Sequence, residues 1–441
     1  MTDSPAMSDL VPNRVQPDVP RVVDHLFRRS AGQVVATLTR VLGPQHLDLV
    51  EDVVQETLLK ALRQWPHYGV PERPDAWLFQ VARNQALDLL RRERALREKH
   101  EAIAQALSQQ PYGGEPSEER LDSTLEDDQL RMMFTCCHPA LAREAQVALT
   151  LKTLGGFGVP EIAHAFLAQE STIAQRLVRA KRFLRERAVA FGVPNPTDLP
   201  PRLDAVLEVL YLLFNEGYSA SLGEDLVRAD LCAEAIRLGL IVAQHPAGDV
   251  PKSHALLALM LLQAARLPGR TDAAGDLLTL EEQDRRLWDH SMAAMGLEAL
   301  ARSAAGDEVT PYHIQAAIAA CHAVAPTYAE TDWNRILAHY DELLAMLPAS
   351  PVVLLNHAVA LAMVRGPQAG LAELLQLRAL PGMRAYHLLH ATSAELWSRL
   401  GNREEACVEY ERALALALTE PERRFLQRKL SELPALNQQI Q

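Results

Sequence analysis

Apolar residues recur along this chain at the three-and-four spacing of an amphipathic helix, so every element the pattern predicts is helical. Residues 21–42 place Val23, Leu26, Phe27, Val34, Val35 and Leu38 on one side, and Gly43-Pro44 end the run. From Leu49, the residues Val50, Val54, Leu58, Leu62 and Trp65 form the next stripe, while Glu51, Asp52, Gln55, Glu56 and Lys60 hold the opposite face. Pro66 to Pro74 break that pattern into a short loop, and Asp75 is placed to cap the helix that follows. That helix turns Leu78, Val81, Ala82, Ala86, Leu89 and Leu90 inward. Its outer side offers Trp77, Gln80, Arg83, Asn84, Asp88, Arg91 and Arg92.

The periodicity fades over residues 99–126, where PYGGEPSEERLDS combines Pro, Gly, Ser and like charges, the composition of a flexible acidic linker. A second helical module begins at Leu125, with Leu130, Met133, Phe134, Cys137 and Leu141 inward. REAQVALTLKTL is its next helix, stopped by Gly155-Gly156. Pro160 opens a short helix, Ala168-Gln169-Glu170 make a turn, and Ser171 suits the N-cap of a last helix. There Ile173, Leu177, Ala180 and Leu184 point inward, and Thr172, Gln175, Arg176, Arg179 and Arg182 point out. Such a helix-turn-helix, with a basic second helix, has the shape that enters a DNA major groove.

Residues 200–435 continue as helical hairpins. Leu203, Val206, Leu207, Leu210, Leu213 and Phe214 make one inward stripe, and Gly217 suits a C-cap. The runs 226–246, 253–267 and 280–301 each read as helix. From about 310 a repeat emerges: Tyr340 precedes Pro348, and LWSRLGNREEACVEYERALAL carries Gly401, Ala406, Tyr410 and Ala413. These offsets resemble the tetratricopeptide (TPR) pattern, in which small residues let paired helices cross closely.

Composition narrows this reading. A chain of 441 residues exceeds one ordinary core, so two to four domains are expected. Few aromatics among many Ala and Leu suit an all-α fold. No apolar run approaches the ~20 residues of a membrane span. The polar, Pro-containing N-terminal stretch lacks the apolar core of a secretory signal. Five cysteines without a disulfide framework fit a reducing, cytoplasmic setting. The net charge of −12 argues against nucleic acid until its distribution is considered. Residues 192–441 carry −11 of it, while residues 1–191 apart from the acidic 101–128 segment carry +6. The last helix of the second module, residues 171–187, has six basic groups and one acid. The basic charge therefore lies where DNA contact would need it.

An acidic helix face alone is most often a solvated surface, and arginines at a helix end complement the helix dipole. The combination of Trp77, Arg83, Asn84, Arg91 and Arg92 on one helix is rarer. It supplies the stacking platform, amide donor and phosphate partners that single-stranded DNA requires. Cys136-Cys137-His138, and the pair His387 and His390, lack partner ligands at zinc spacing, so they read as packed thiols and as core or surface histidines. No metal or cofactor is implied. HExxH, Gly-rich phosphate and GxSxG motifs are missing, and no catalytic residue is assigned.

EDVVQETLLKAL followed by PDAWLFQVARNQALDLLRRE resembles region 2 of the sigma-70-type initiation factors of bacterial RNA polymerase, most of all their extracytoplasmic-function branch, over residues 22–95. The helix-turn-helix beyond the linker resembles sigma region 4. The remainder resembles the group of these factors with a long, TPR-bearing C-terminal extension, which the runs LFNEGYSAS and EEQDRRLWD also look like. The resemblance implies a 1–20 disordered N-terminus, region 2 over 21–98, a linker over 99–126 and region 4 over 127–191. A helical extension over 200–305 and TPR-like repeats over 306–435 would follow.

The partners so implied are core RNA polymerase and promoter DNA, with no membrane and no bond chemistry. Asp52, Gln55 and Glu56 would dock on the clamp helices of the largest core subunit. His67, Tyr68 and Arg73 in the loop, with Trp77, Arg83, Asn84, Arg91 and Arg92, would capture and melt the minus-10 element. Ser171, Thr172, Gln175, Arg176, Arg179, Lys181 and Arg182 would hold and read the minus-35 element. The extension would regulate activity, through an intramolecular contact or a peptide partner. The alternative is a stand-alone helix-turn-helix regulator that binds DNA without polymerase; it leaves the Leu49–Arg92 helix pair without a role.

Overall fold

The computed structural model describes residues 19–96, 118–165, 168–218, 228–272, 274–380, 382–417 and 419–433. The N-terminal stretch through residue 18, most of the expected linker and the turn residues Phe166 and Leu167 lie outside them. So do the side chains of residues 19–29, 90–96, 118–126 and 164–165, and with them the expected roles of Val23, Leu26, Phe27, Leu90, Arg91 and Arg92. Among the described residues there is no strand; a lone bridge pairs Thr271 with Leu277. The chain divides into two compact units. One holds residues 1–159 and 171–193, the other 160–170 and 194–441.

The first unit is organised around α1 (Val19–Leu42), on which α2 (Leu47–Tyr68), α3 (Pro74–Leu96), α4 (Glu118–Cys136) and α5 (Arg143–Thr153) all pack. Val34, Val35, Leu38 and Leu42 are buried along α1. A side chain at Gly32 would meet the Leu154 carbonyl at 2.4 Å, so glycine is what lets α1 approach the end of α5. From Asp128 to Cys136, α4 is buried on nearly every side, not on one stripe. Its Asp128, 1% exposed, accepts a 2.9 Å bond from Arg40 Nε of α1. The helices on either side of the expected linker thus pack directly on each other. Cys136 and Cys137 are buried with their sulfurs 3.6 Å from Thr153 Oγ1 and 3.9 Å from Thr150 Oγ1, as packed thiols should be.

Pro66 lies inside the last turn of α2, which runs on to Tyr68 before Gly69 (φ 82°) stops it. His67 and Tyr68 are therefore helical, and the loop shrinks to residues 69–73. Pro66 stays helical because proline fixes φ in the helical range. Leu62 is 38% exposed while Val53, Thr57 and Ala61 are buried, so the buried stripe is rotated to take in these three and leave Leu62 out. Asp75 sits in the first turn of α3 and accepts a hydrogen bond from Ser30 Oγ of α1; it ties two helices instead of capping one. Helix α4 starts at Glu118, inside the stretch read as linker, where Glu118 and Glu119 suit the positive end of the helix dipole.

In the second unit α6 (Val159–Ala165) is followed, beyond the first unit's α7 (Glu170–Glu186), by α8 (Leu199–Tyr218), α9 (Ala229–Gln244), α10 (Pro251–Ala264) and α11 (His290–Ser303). The stripe of α8 is buried as expected. Gly217, however, is not a C-cap. The helix continues past it, and a Cβ there would lie 2.8 Å from the Cys232 backbone nitrogen, so the glycine admits the start of α9. Residues 280–289 are not helix either. Asp284 accepts from the backbone of Arg286 in a 3-10 turn, and Asp289 caps α11 through the Met292 backbone nitrogen.

The chain then runs through α12 (Pro311–Val324), α13 (Trp333–Met346), α14 (Pro351–Arg365), α15 (Pro367–Leu377), α16 (His387–Arg399), α17 (Arg403–Leu416) and α18 (Glu420–Glu432), each packing on the next. His–carboxylate ties stitch this succession. His357 of α14 bridges Asp341 of α13 at 3.0 Å and Glu373 of α15 at 2.8 Å. His390 of α16 lies 2.7 Å from Glu409 of α17, a carboxylate 1% exposed that Arg378 and Arg412 also contact. His387, 3.3 Å from Glu422 of α18, and His390 are thus structural residues.

These ties make the helical succession acid-sensitive. Burial pushes the Glu409 and Glu422 carboxyls up, but bonds from His390 and Arg378, and from His387, outweigh it and leave both lowered, Glu422 to about 2. A lowered carboxyl contributes stability that is full above its unfolded pKa and is lost as pH falls. The helices α14–α18 should lose stability between pH ~4.5 and ~2. Glu409→Ala should cost about 3 kcal/mol at neutral pH, because the buried His390 and the half-buried Arg378 lose their acceptor. Chemical denaturation of the full chain across pH checks both; an unchanged midpoint in the variant would contradict the second.

Candidate functional site

The acidic face of α2 survives folding as an outward surface. Val50, Val53, Val54, Thr57, Leu58, Ala61 and Trp65 turn inward, and this rotation leaves Asp52, Gln55 and Glu56 exposed together. One turn further on, Glu56, Leu59, Lys60, Arg63 and Gln64, with Gln85 of α3, line an open groove of about 560 Å³. Thr57 fixes that wall, with its hydroxyl 2.7 Å from Gln85 Oε1. Leu59 is 51% exposed, so an apolar side chain sits among charged neighbours beside the three predicted residues.

The corner between α2 and α3 gathers the next group. His67, Tyr68 and Arg73 are exposed, Tyr68 to 87%. On α3, Asn84 is exposed and Arg83 half-buried. Trp77 was expected to project outward; it is half-buried, with its ring set edge-on to Trp65 at 5.3 Å. It therefore has an anchored orientation, and only part of its surface is open. Arg91 and Arg92 lie further along the same helix.

Helix α7 carries the third group. Ile173, Leu177, Ala180 and Leu184 are buried, so the predicted inward stripe sets its orientation. Ser171, Thr172, Gln175, Arg179 and Arg182 are exposed, and Arg176 is half-buried. Ser171 is not the N-cap, since the helix begins at Glu170; it sits in the first turn. Helix α6 belongs to the other compact unit, where its Glu161 pairs with Arg228 at 3.2 Å.

Lys181 behaves differently from its neighbours. It is turned onto α2, where its Nζ lies 2.8 Å from Glu51 Oε2 and 3.0 Å from Asp48 Oδ1, with its side chain 16% exposed. Burial disfavours the ammonium, but the two carboxylates overcome it and raise its pKa. Arg185 adds a 3.8 Å contact to Asp48. Asp48 and Glu51 start the same helix that bears Asp52, Gln55 and Glu56. The helix read as DNA-binding and the helix read as polymerase-binding are therefore bonded to each other. No local signal in the sequence marks this pairing, because 130 residues separate Glu51 from Lys181.

Among the described residues no group of three or more His, Cys, Asp or Glu side chains is arranged to hold a metal ion. Among them, too, no helix is long and apolar enough to cross a membrane.

Residues 26–96 match the sigma-70 region 2 family, and residues 202–304 match a family of unknown function, DUF6596. An uncharacterized protein of Rhizobium meliloti is 40% identical over 415 residues, which covers 94% of this chain and 96% of the relative. The ECF RNA polymerase sigma factor SigL of Mycobacterium tuberculosis is 31% identical over 144 residues, 32% of this chain and 76% of that protein. The ECF RNA polymerase sigma-E factor of Haemophilus influenzae is 26% identical over 180 residues, 40% of this chain and 91% of that protein. No solved structure matches. With a region 2 domain built on α1, α2 and α3, and with relatives of this kind, the chain belongs to the sigma-70-like ECF sigma factor family.

Proposed function

We propose that this protein binds core RNA polymerase and directs it to specific promoters. The observation that carries the reading is the joint exposure of Asp52, Gln55 and Glu56 on one face of α2, within the region 2 match. Three acceptor-rich side chains at helical spacing form a surface complementary to a basic-leaning helical partner, here the clamp helices of the largest core subunit. The adjoining groove with exposed Leu59 offers that partner an apolar contact.

His67, Tyr68, Arg73, Trp77, Arg83, Asn84, Arg91 and Arg92 form the minus-10 surface in this reading. Stacking on Tyr68 and the open part of Trp77, with arginines for phosphates, offsets the few kcal/mol that each unstacked base costs. Ser171, Thr172, Gln175, Arg176, Arg179 and Arg182 form the minus-35 surface. Arg176 and Gln175 lie near the N-terminus of α7, where such helices reach base edges. Lys181 we assign to the ion pair with Glu51 and Asp48, not to phosphate. Helices over 306–435 act as TPR-like hairpins that regulate activity or hold a partner. The support is their sequential packing and the buried Ala394, Ala406 and Ala413 where α16 meets α17.

Asp52→Lys combined with Glu56→Lys should lower recovery of core polymerase in a pull-down by at least about tenfold, through like-charge contact. Undiminished recovery with the folded double variant would sink the docking assignment. The stand-alone regulator reading predicts that even the unaltered chain recovers no core.

Arg176→Ala should weaken binding to a cognate promoter duplex by ~1–3 kcal/mol and relax preference at one base pair. An equal loss on cognate and scrambled duplexes in a filter-binding assay would reduce Arg176 to a phosphate contact.

Lys181→Met should free α7 from α2 and cost about 1–3 kcal/mol, since Glu51 loses a charged donor. Hydrogen exchange in peptides covering 170–186 should quicken. Exchange at the wild-type rate would show the bridge to be without consequence.

A further inference from the structure

Two runs in the second unit, LFNEGYSAS and EEQDRRLWD, lie outside the surfaces proposed above for polymerase and promoter. The fold places parts of both beside three arginines. Arg270, just after α10, stacks its guanidinium 3.9 Å from the Tyr218 ring centroid and donates to the Tyr218 carbonyl. Arg266 and Arg285 lie over the Trp288 ring, their guanidinium carbons 5.4 and 4.7 Å from its centroid. His322 of α12 is within electrostatic reach of both Arg266 and Arg285. Among the described residues no carboxylate lies within 4 Å of any of the three arginines.

Arg285 has a structural reason to be there. It donates to the carbonyls of His322 and Ala325 at the C-terminal end of α12, and to Thr331 Oγ1. A guanidinium at the negative end of a helix needs no other partner. Arg266 has no such account. It is 8% exposed and donates one bond to Gln263 Oε1 at 3.1 Å, and its Nε has no partner in the protein. Around it two more buried ring nitrogens are unpartnered: Trp288 Nε1, in a residue 5% exposed, and His322 Nδ1, in a residue 9% exposed. Gly269 packs against the indole edge, where a Cβ would stand 3.0 Å from Trp288 Nε1.

Buried charges are normally paired, and buried donors normally bonded. Here positive charge gathers without a carboxylate. The indole N–H can only donate, the guanidinium can only donate, and the imidazole can donate from Nδ1. A cation or metal ion is excluded by that donor set. We propose that Arg266, Trp288 and His322, with the charge of Arg285 beside them, form a binding site for a small oxyanion, a phosphate or carboxylate group carried by a soluble molecule. The planar guanidinium of Arg266 matches such a group through paired N–H donors, and Trp288 Nε1 supplies a further one. Arg285 and Arg270 are half-buried and bring the cluster to the surface. The site falls largely within the 202–304 stretch whose family has no known function, and it gives that stretch a ligand class.

The test uses the full chain and inorganic phosphate, with acetate as the carboxylate arm and chloride at matched ionic strength as reference. Thermal unfolding should shift upward with phosphate or acetate concentration in the logarithmic, saturating-site manner of a ligand that binds only the folded state. The more effective anion identifies the source. Arg266→Met should abolish the shift while leaving the anion-free protein as stable as before or more so, because an uncompensated buried charge is removed. Trp288→Phe keeps the ring and removes one donor. It should weaken the apparent anion affinity about tenfold, the worth of one N–H bond to a charged acceptor. Equal midpoints in phosphate, acetate and chloride would overturn the site. So would a full anion response retained in both Arg266→Met and Trp288→Phe.

Discussion

The first unit depends on one constraint: α4 has almost no solvent face from Asp128 onward. Leu130, Met132, Met133 and Phe134 are all fully buried, so the helix must be surrounded. Helix α1 supplies most of that cover, and α5 adds to it. Burying such a run contributes on the order of 1.5–3 kcal/mol per large apolar side chain. That gain is indifferent to partner, since any apolar helix would serve. What selects α1 is the buried Asp128, which is tolerable only opposite Arg40.

The same division of labour recurs at the functional surface. Ile173, Leu177, Ala180 and Leu184 bury α7 without specifying what lies beside its outer edge. Lys181 does specify it, because its half-desolvated ammonium meets Glu51 and Asp48 at the start of α2. The acidic helix therefore carries two sets of carboxylates with different fates. Asp48 and Glu51 are used internally, and Asp52 and Glu56 face outward. Their separation by a single helical turn couples the proposed polymerase-binding face to the proposed DNA-reading helix.

In the second unit, charge is again what orders a helical succession. His357, His390 and Glu409 tie helices that are consecutive in the chain, and each tie joins groups 16 to 19 residues apart. The arginine cluster around Trp288 departs from that rule, with donors and positive charge in excess of acceptors.

The sequence by itself determined the helices and their inward faces. Stripes such as Ile173-Leu177-Ala180-Leu184 and Leu203 to Phe214 were legible because a helical period repeats within a few residues. The region 2 resemblance was legible too, since its motifs are contiguous. Helix limits were less so: Pro66 and Ser171 lie inside helices that their local signals would have bounded, and tertiary contacts gave Asp75 and Gly217 another place. Ser30 claimed Asp75, and the start of α9 claimed the space beside Gly217. Only the tertiary structure decided that Lys181 meets Glu51, that Trp77 leans on Trp65, and that Arg266, Trp288 and His322 share one buried site. Those contacts join residues 12 to 130 positions apart, and no periodicity along a chain encodes which side chains meet once its helices have packed.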